Sequence, residues 1–285
     1  MKLVVLGKGF IGSHLYHFLN EKVIDVKAFN RKELDYSNYE DLQLYLIKNR
    51  PDYVINCCGY TGVPNVDACE TNKDLCIELN LTIPFLLNKI CNDNCIKLIH
   101  VSSGCIYSGY EKLYTEEDSP DFGLTNPNSS FYSKCKHIFE MGTKPYLNNT
   151  AILRIRMPFT NKPEDKNYLY KLFKYNNLIN YQNSLSYVED LNRFILFLCA
   201  NFSGGIYNVV NSGGVSANTV VEIFKKNGLI NSNWNFVDMN SLNLKANRSN
   251  CVLSNEKVLK MGFNFTNTAE AVEKCIKDIA SEIAK

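Results

Sequence analysis

Tyr132 and Lys136 stand four residues apart in Tyr132-Ser-Lys-Cys-Lys136, and a phenol beside an ammonium can pass a proton to a carbonyl oxygen. A phenol ordinarily titrates near ~10 and is a poor acid-base group at neutral pH unless a cation stabilises its anion. On a helix the four-residue spacing puts both groups on one face, so Lys136 can supply that field. The spacing alone is common on surface helices. Ser103, directly after a buried apolar run, gives it weight by offering a second hydrogen bond to the same oxygen.

A carbonyl reduced in this way needs a hydride source, and Gly7-Lys8-Gly9-Phe10-Ile11-Gly12 has the spacing of a dinucleotide-binding loop. Its glycines permit a tight turn and close approach of a pyrophosphate, and the helix that follows presents its N-terminus to the anion. The second strand then ends at Phe29-Asn30-Arg31-Lys32, without the acid that would hold the ribose hydroxyls of NAD. Arg31 and Lys32 instead offer charge to a 2′-phosphate, which favours NADPH, against the plainer reading of two solvated basic residues. Asn30, Asp35 (as an adenine contact), Cys58 and Gly59 complete the expected cofactor-binding set with Tyr132 and Lys136.

The elements that must position these groups read as alternating strands and helices. Residues 2–6 form a short, wholly apolar run, the mark of a parallel strand buried on both faces. Helices are expected at 11–20, 38–47, 74–91 and 130–141, and strands at 23–29, 53–57, 96–101 and 151–155. This alternation predicts an α/β fold, a Rossmann-type doubly wound parallel sheet with right-handed crossovers. Residues 1–158 make the NADP-binding domain, and 159–285 a smaller, discontinuous substrate-binding lobe. The stretch 185–210 returns a helix and a strand to the sheet. A C-terminal helix shows Val272, Cys275, Ile276, Ile279 and Ile283 on one face.

With the loop, Ser103, Tyr132 and Lys136 in this order, the sequence resembles the extended short-chain dehydrogenase/reductases that modify nucleotide sugars. Five segments narrow the likeness: residues 56–67 (NCCGYTGVPNVD), 103–107 (SGCIY), 131–134 (FYSK), 153–158 (LRIRMP) and 248–250 (RSN). They are similar to the plant-type nucleotide-rhamnose synthase/epimerase-reductases, UDP-4-keto-6-deoxyglucose 3,5-epimerase/4-reductases related to dTDP-4-dehydrorhamnose reductase. The resemblance implies conversion of UDP-4-keto-6-deoxyglucose to UDP-L-rhamnose with NADPH, by an enzyme that is cytoplasmic and a possible homodimer.

A ketone at C4 makes the hydrogens on C3 and C5 acidic, so one pocket holding that oxygen serves both epimerisation and hydride transfer. Epimerisation also needs groups that remove and return a proton. Cys105 lies two residues beyond Ser103, on the same face if the segment stays extended, and a thiol titrating near ~8.5 can exchange protons with carbon. Fucose-synthase relatives pair the cysteine with a histidine, but His14, His17, His100 and His137 all fall outside the expected loop. Lys171 takes that place in this reading, as a partly buried lysine can be drawn towards neutrality, with Lys162 next. By the resemblance Arg248, Asn80, Arg156, Asn167 and Asn183 hold the sugar diphosphate, though each is also an ordinary surface or capping residue type.

A 4,6-dehydratase would carry Asp-Glu after the serine, where this chain has Gly104-Cys105. A plain 4-ketoreductase would leave Cys105 idle, and a noncatalytic dinucleotide-binding subunit would not need both Tyr132 and Lys136. Composition excludes other classes. Lys+Arg number 31 against 29 Asp+Glu, a net charge of +2 with no basic block, which argues against nucleic acid or an anionic membrane as partner. The 11 cysteines are scattered, odd in number and mostly within apolar runs, as expected in a reducing compartment. Cys91 and Cys95, read as helix-face thiols, lack partners for zinc, so no metal is expected. The start at Met1 runs straight into a strand, and neither a signal peptide nor a membrane span is expected.

Overall fold

A computed structural model of the chain describes residues 1–283. The first half alternates as β1 (Lys2–Leu6), α1 (Phe10–Glu21), β2 (Asp25–Phe29), α2 (Tyr39–Asn49) and β3 (Tyr53–Asn56). Two short helices, α3 (Ala68–Thr71) and α4 (Lys73–Ile77), lead through a π-helical turn (Glu78–Thr82) into α5 (Ile83–Asp93) and β4 (Lys97–Ser103). Next come β5 (Gly109–Tyr114), α6 (Phe131–Thr143) and β6 (Thr150–Ile155). An excursion through β7 (Pro158–Phe159), α7 (Tyr168–Lys174), β8 (Asn177–Ile179) and β9 (Ser186–Tyr187) precedes α8 (Val188–Ala200) and β10 (Gly205–Asn208). The chain closes with α9 (Ala217–Lys226), β11 (Asn235–Val237), β12 (Cys251–Leu253), α10 (Glu256–Lys260) and α11 (Thr268–Ile283).

Six strands form one sheet in the order β10-β6-β4-β3-β1-β2, and every pairing is parallel. The fold is therefore the expected Rossmann-like α/β sheet, with β10 returning to its edge. Alternate side chains of one strand feed two cores. Leu3 and Val5 join Leu15 and Leu19 of α1 and Phe194 of α8, whereas Val4 and Leu6 join Leu42 and Leu46 of α2 and Leu87 of α5. That double burial is why the strand sequences are apolar throughout. The direction of strand order reverses between β1 and β3, and the crevice outside the carboxyl ends of such strands is where ligands bind. The register pairs Leu6 with both Phe29 and Asn56, and Ser103 with Ile155, so the glycine loop, Cys57, Gly104 and Arg156 all leave the sheet at that edge.

A third core joins Phe159, Leu169, Val220, Phe224, Val272 and Ile276, uniting α7, α9 and α11. Val272, Cys275, Ile276 and Ile279 are buried as the helical pattern requires; the side chain of Ile283 lies outside the described residues. Three details depart from expectation. The helix expected at 74–91 is interrupted by the π-turn, in which Asn80 donates back to the Cys76 carbonyl (3.0 Å). Cys95 follows the end of α5 and is exposed at φ 56°, so it does not share a helix face with the buried Cys91. The chain also turns after Ser103, at Gly104 to Ile106, instead of staying extended. Among the described residues no helix is long and apolar enough to cross a membrane.

Candidate active site

Each glycine of the loop has its own reason. Gly7 sits at φ +92°, and a Cβ there would lie 2.8 Å from the Cys58 amide. A Cβ on Gly12 would fall 2.1 Å from the Gly7 carbonyl oxygen, so only glycine lets α1 pack against its own loop. A Cβ on Gly9 would meet nothing within 4 Å beyond its chain neighbours, and no side chain caps the N-terminus of α1. Its unpaired amides and positive dipole end face open space, the arrangement that accepts a pyrophosphate. Phe10 and Ile11 form the first turn, and the residues present fit a dinucleotide. Gly59, beyond β3, has room for little else: a Cβ would stand 3.3 Å from Asn80 Oδ1 and 3.8 Å from Lys136 Nζ.

Ser130 caps α6 by accepting from the Ser133 amide (3.1 Å), which starts the helix one residue before Tyr132. Tyr132 and Lys136 are both buried, with Lys136 Nζ 5.6 Å from the phenol ring centre. Burial pushes the Lys136 ammonium down to about 8. Burial also raises the Tyr132 pKa, helped by Cys105 and opposed by a hydrogen bond from Ser103. The expected phenolate-stabilising field of Lys136 is thus outweighed by desolvation. Tyr132 is held as a neutral phenol, the form that donates a proton. Beneath it lie Cys69, Cys76 and Cys135, the last two with sulfurs 3.9 Å apart, a thiol cluster that no spacing rule predicted.

Although its segment turns, Cys105 still packs against the cluster that Tyr132 forms with Cys69, Cys76 and Cys135, and its amide donates to Ser103 Oγ at 3.2 Å. The turn passes through Gly104, where a Cβ would lie 2.5 Å from Leu253 and 3.1 Å from Arg156 Cδ. Arg156, at the end of β6, reaches across to donate from Nη1 to Cys105 Sγ at 3.1 Å. Its other bonds go to Ser249 Oγ (2.8 Å), the Ser249 carbonyl (3.1 Å) and Asn183 Oδ1, while its buried Nε has no partner. Arg156, expected to help hold the sugar diphosphate, is 1% exposed and here holds a thiol. Asn183 is likewise committed, to Arg156, the Cys251 amide (3.1 Å) and Asn250 (2.9 Å).

Two other expected substrate ligands make bonds within the fold. Asn80 is fully buried and donates to the Tyr60 carbonyl (2.9 Å) and to Cys76, bracing the loop after Gly59. Asn167 caps α7, accepting from the Leu169 amide (3.1 Å) and donating to the Thr160 and Lys162 carbonyls. A short polar side chain beside a helix start or a bend is satisfied by nearby backbone, which sequence alone cannot separate from ligand binding. Arg248 remains partly exposed and bridges to Asp67 (2.7 Å) across 181 residues, tying the C-terminal lobe to the loop after β3.

Of the candidate lysines, Lys162 is exposed and paired with Glu282 (2.8 Å), which raises its pKa, so it does not fit a base drawn towards neutrality. Lys171 is half-buried on α7, and burial, then the charge of Lys166, lowers its pKa. Lys166, missed in the sequence, is also lowered by burial and donates to the Gly62 carbonyl at 2.8 Å. At the adenosine end, Lys8 pairs with Glu33 (3.0 Å), and Arg31 bonds Glu78, Ser37 and, more distantly, Asp35; Lys32 is exposed. Glu33 Oε2 also accepts from the Asn30 amide (2.8 Å). A concavity of about 680 Å³ lies at the opposite end of the strands beside Arg50, Asp52 and Lys97, and holds none of these groups.

Comparison with known proteins follows the same lines. The model of the RmlD substrate binding domain matches residues 1–281. The chain belongs to that family. An Arabidopsis thaliana protein, trifunctional UDP-glucose 4,6-dehydratase/UDP-4-keto-6-deoxy-D-glucose 3,5-epimerase/UDP-4-keto-L-rhamnose-reductase RHM1, is 30% identical over 237 residues, 79% of this chain. The match spans only 34% of that longer relative. Among solved structures, the L780 UDP-rhamnose synthase of Acanthamoeba polyphaga mimivirus superposes with TM-score 0.89 at 24% identity, covering 98% of this chain and 99% of that one. The dTDP-4-dehydrorhamnose reductase of Bacillus anthracis, solved with NADP, gives 0.81 at 22% identity, covering 99% and 100%. These RmlD-family likenesses agree on the fold.

Proposed function

We propose that the chain is a bifunctional 3,5-epimerase/4-reductase that converts UDP-4-keto-6-deoxy-D-glucose to UDP-L-rhamnose with NADPH. Residues 1–158 hold the cofactor, completed by 185–210, and the remainder of 159–285 receives the sugar nucleotide. The observation that carries the epimerase half is Cys105, packed against the cluster that contains Tyr132, with its sulfur bonded by the Arg156 guanidinium at 3.1 Å. A reductase alone has no use for a thiol held there. The relatives and structural neighbours named for UDP-4-keto-6-deoxy-D-glucose 3,5-epimerase, UDP-4-keto-L-rhamnose-reductase and UDP-rhamnose synthase support this reading.

Tyr132 and Ser103 receive the C4 oxygen. With that oxygen held by two hydroxyl donors, the thiolate of Cys105 removes a proton from C5 or C3: the C–H bond breaks, an S–H bond forms, and its electron pair moves to the oxygen as an enolate. Arg156 supplies positive charge and a donor at the sulfur. Lys171 returns a proton to the opposite face, with Lys166 beside it. NADPH, when bound, supplies hydride to C4. The neutral phenol of Tyr132 then protonates the C4 oxygen, and Lys136 steadies the phenolate that remains.

The test is incubation of the protein with NADPH and UDP-4-keto-6-deoxy-D-glucose in deuterated water, with products resolved by NMR. The expected product is UDP-L-rhamnose, with deuterium at C3 and C5 appearing even when NADPH is omitted. Cys105→Ala abolishes the exchange and spares reduction of supplied UDP-4-keto-L-rhamnose. Reduction without any exchange in the unaltered protein sinks the epimerase assignment and leaves a plain 4-ketoreductase.

A further inference from the structure

Of the two cations that sequence logic assigns to a 2′-phosphate, Arg31 is not free to meet one. Arg31 lies two residues beyond the end of β2, beside the glycine loop, since the Gly7 amide donates to the Phe29 carbonyl at 2.9 Å. An arginine at this end of the second strand is the residue type that takes the 2′-phosphate of NADP. Yet its Nη1 and Nη2 both bond the carboxylate of Glu78, its Nη2 also reaches Ser37 Oγ at 2.9 Å, and its Nε lies 3.6 Å from Asp35. Lys8 is matched in the same way by Glu33 at 3.0 Å. Lys8 and Arg31 therefore face the three carboxylates Glu33, Asp35 and Glu78, while the exposed Lys32 makes no ion pair among the described residues.

Glu78 differs from the other acids. Asp35 lies four residues from Arg31 within one turn, whereas Glu78 arrives from 47 residues away as the first residue of the π-turn between α4 and α5. The same turn carries Asn80, which braces the loop after Gly59, so Glu78 is delivered by a segment whose path the active site already dictates. The guanidinium and the carboxylate are both solvent-accessible, at 41% and 33% side-chain exposure, so the pair is weak enough to exchange partners. Its fork geometry suits a phosphate as well as a carboxylate.

We propose that Glu78 is a cofactor-specificity residue, which holds the Arg31 guanidinium in competition with the 2′-phosphate and so lowers the preference for NADPH over NADH. The inference rests on the dinucleotide reading of the glycine loop. Binding the 2′-phosphorylated cofactor breaks the Arg31–Glu78 pair and leaves the carboxylate beside a new anion. Binding the unphosphorylated one leaves the pair intact.

Isothermal titration with 2′,5′-ADP and 5′-AMP reads this without turnover. Glu78→Gln is expected to tighten 2′,5′-ADP by roughly two- to tenfold while 5′-AMP stays within about twofold, the scale of an exposed ion pair plus relief of repulsion. Arg31→Ala is expected to remove most of the advantage of 2′,5′-ADP over 5′-AMP. In that background Glu78→Gln should add little, because the arginine through which it acts is gone. The NADPH/NADH ratio of kcat/KM should follow the binding ratio. An unchanged ratio in Glu78→Gln overturns the inference, as does an equal gain with and without Arg31, which would mark a general charge effect. If the unaltered protein binds neither nucleotide, the dinucleotide reading falls and takes the inference with it; binding of 5′-AMP with an unchanged ratio removes the inference alone.

Discussion

The contact between α6 and the end of β6 contains three buried cations, and they are treated in two different ways. Arg154 meets Glu140 through Nε at 3.1 Å and Nη2 at 2.7 Å, with the Tyr107 ring 5.2 Å from its guanidinium carbon. Two residues on, Arg156 meets neutral oxygens and a thiol, and one helical turn before Glu140, Lys136 lies buried beside the Tyr132 ring and near Gly59. Among the described residues neither has a carboxylate within ion-pair distance. A matched buried pair locks helix to strand, whereas an unmatched buried cation is costly by itself and gains most when an anion forms beside it. The difference separates scaffold from chemistry within one interface.

Removing the match should have the largest effect. Glu140→Ala strands the Arg154 charge and is expected to destabilise the fold by about 3–5 kcal/mol in urea titration, while replacing both partners by apolar residues should recover most of it. A loss under about 1 kcal/mol would erase the distinction. Arg156→Met should behave oppositely in stability, staying within about 1 kcal/mol of the parent, because no partner carboxylate is orphaned and Asn183 keeps the Cys251 amide. Its expected cost is in chemistry: exchange at C3 and C5 slower by about 10- to 100-fold, the worth of a hydrogen bond to a charged group, with reduction of UDP-4-keto-L-rhamnose less affected.

Lys136 gives the comparison a pH axis. Burial holds its ammonium at about 8, below the ordinary 10.5, so the folded form sheds its proton first. Reduction should therefore fall as pH rises through about 8, by up to about tenfold per unit. Between the two values the unfolded chain binds more protons, so the lysine's contribution to stability rises with pH over the window in which activity falls. Lys136→Met should flatten the stability slope relative to the parent, which paired denaturation curves would show. The smallest effect belongs to a residue once expected at the substrate: Asn167→Ala should cost about 1 kcal/mol as a lost helix cap. If it instead raises the substrate KM with stability unchanged, Asn167 belongs to the site after all.

Much of this was legible from local pattern. The glycine loop, its flanking strand and helix, and the Tyr132/Lys136 spacing are all set within a few residues, where turn sterics and helical periodicity act directly. What misled was of two kinds. Asn80, Asn167 and Asn183 are of a residue type that serves backbone and ligand equally well, and their bonds to Cys76, Thr160 and Cys251 belong to the fold. Arg31 looked like a free phosphate reader because Glu78 is 47 residues away.

The sequence by itself determined the parallel sheet, the dinucleotide loop and the phenol-lysine pair, since each depends on neighbours along the chain. Only the tertiary structure decided the charge state of that pair, because desolvation is a property of surroundings and not of spacing. It also decided that Arg156, 51 residues from Cys105, reaches its sulfur, and that Arg248 crosses 181 residues to Asp67. Contacts of that span exist only once the strands have stacked in order, as register and crossover bring distant segments to one edge.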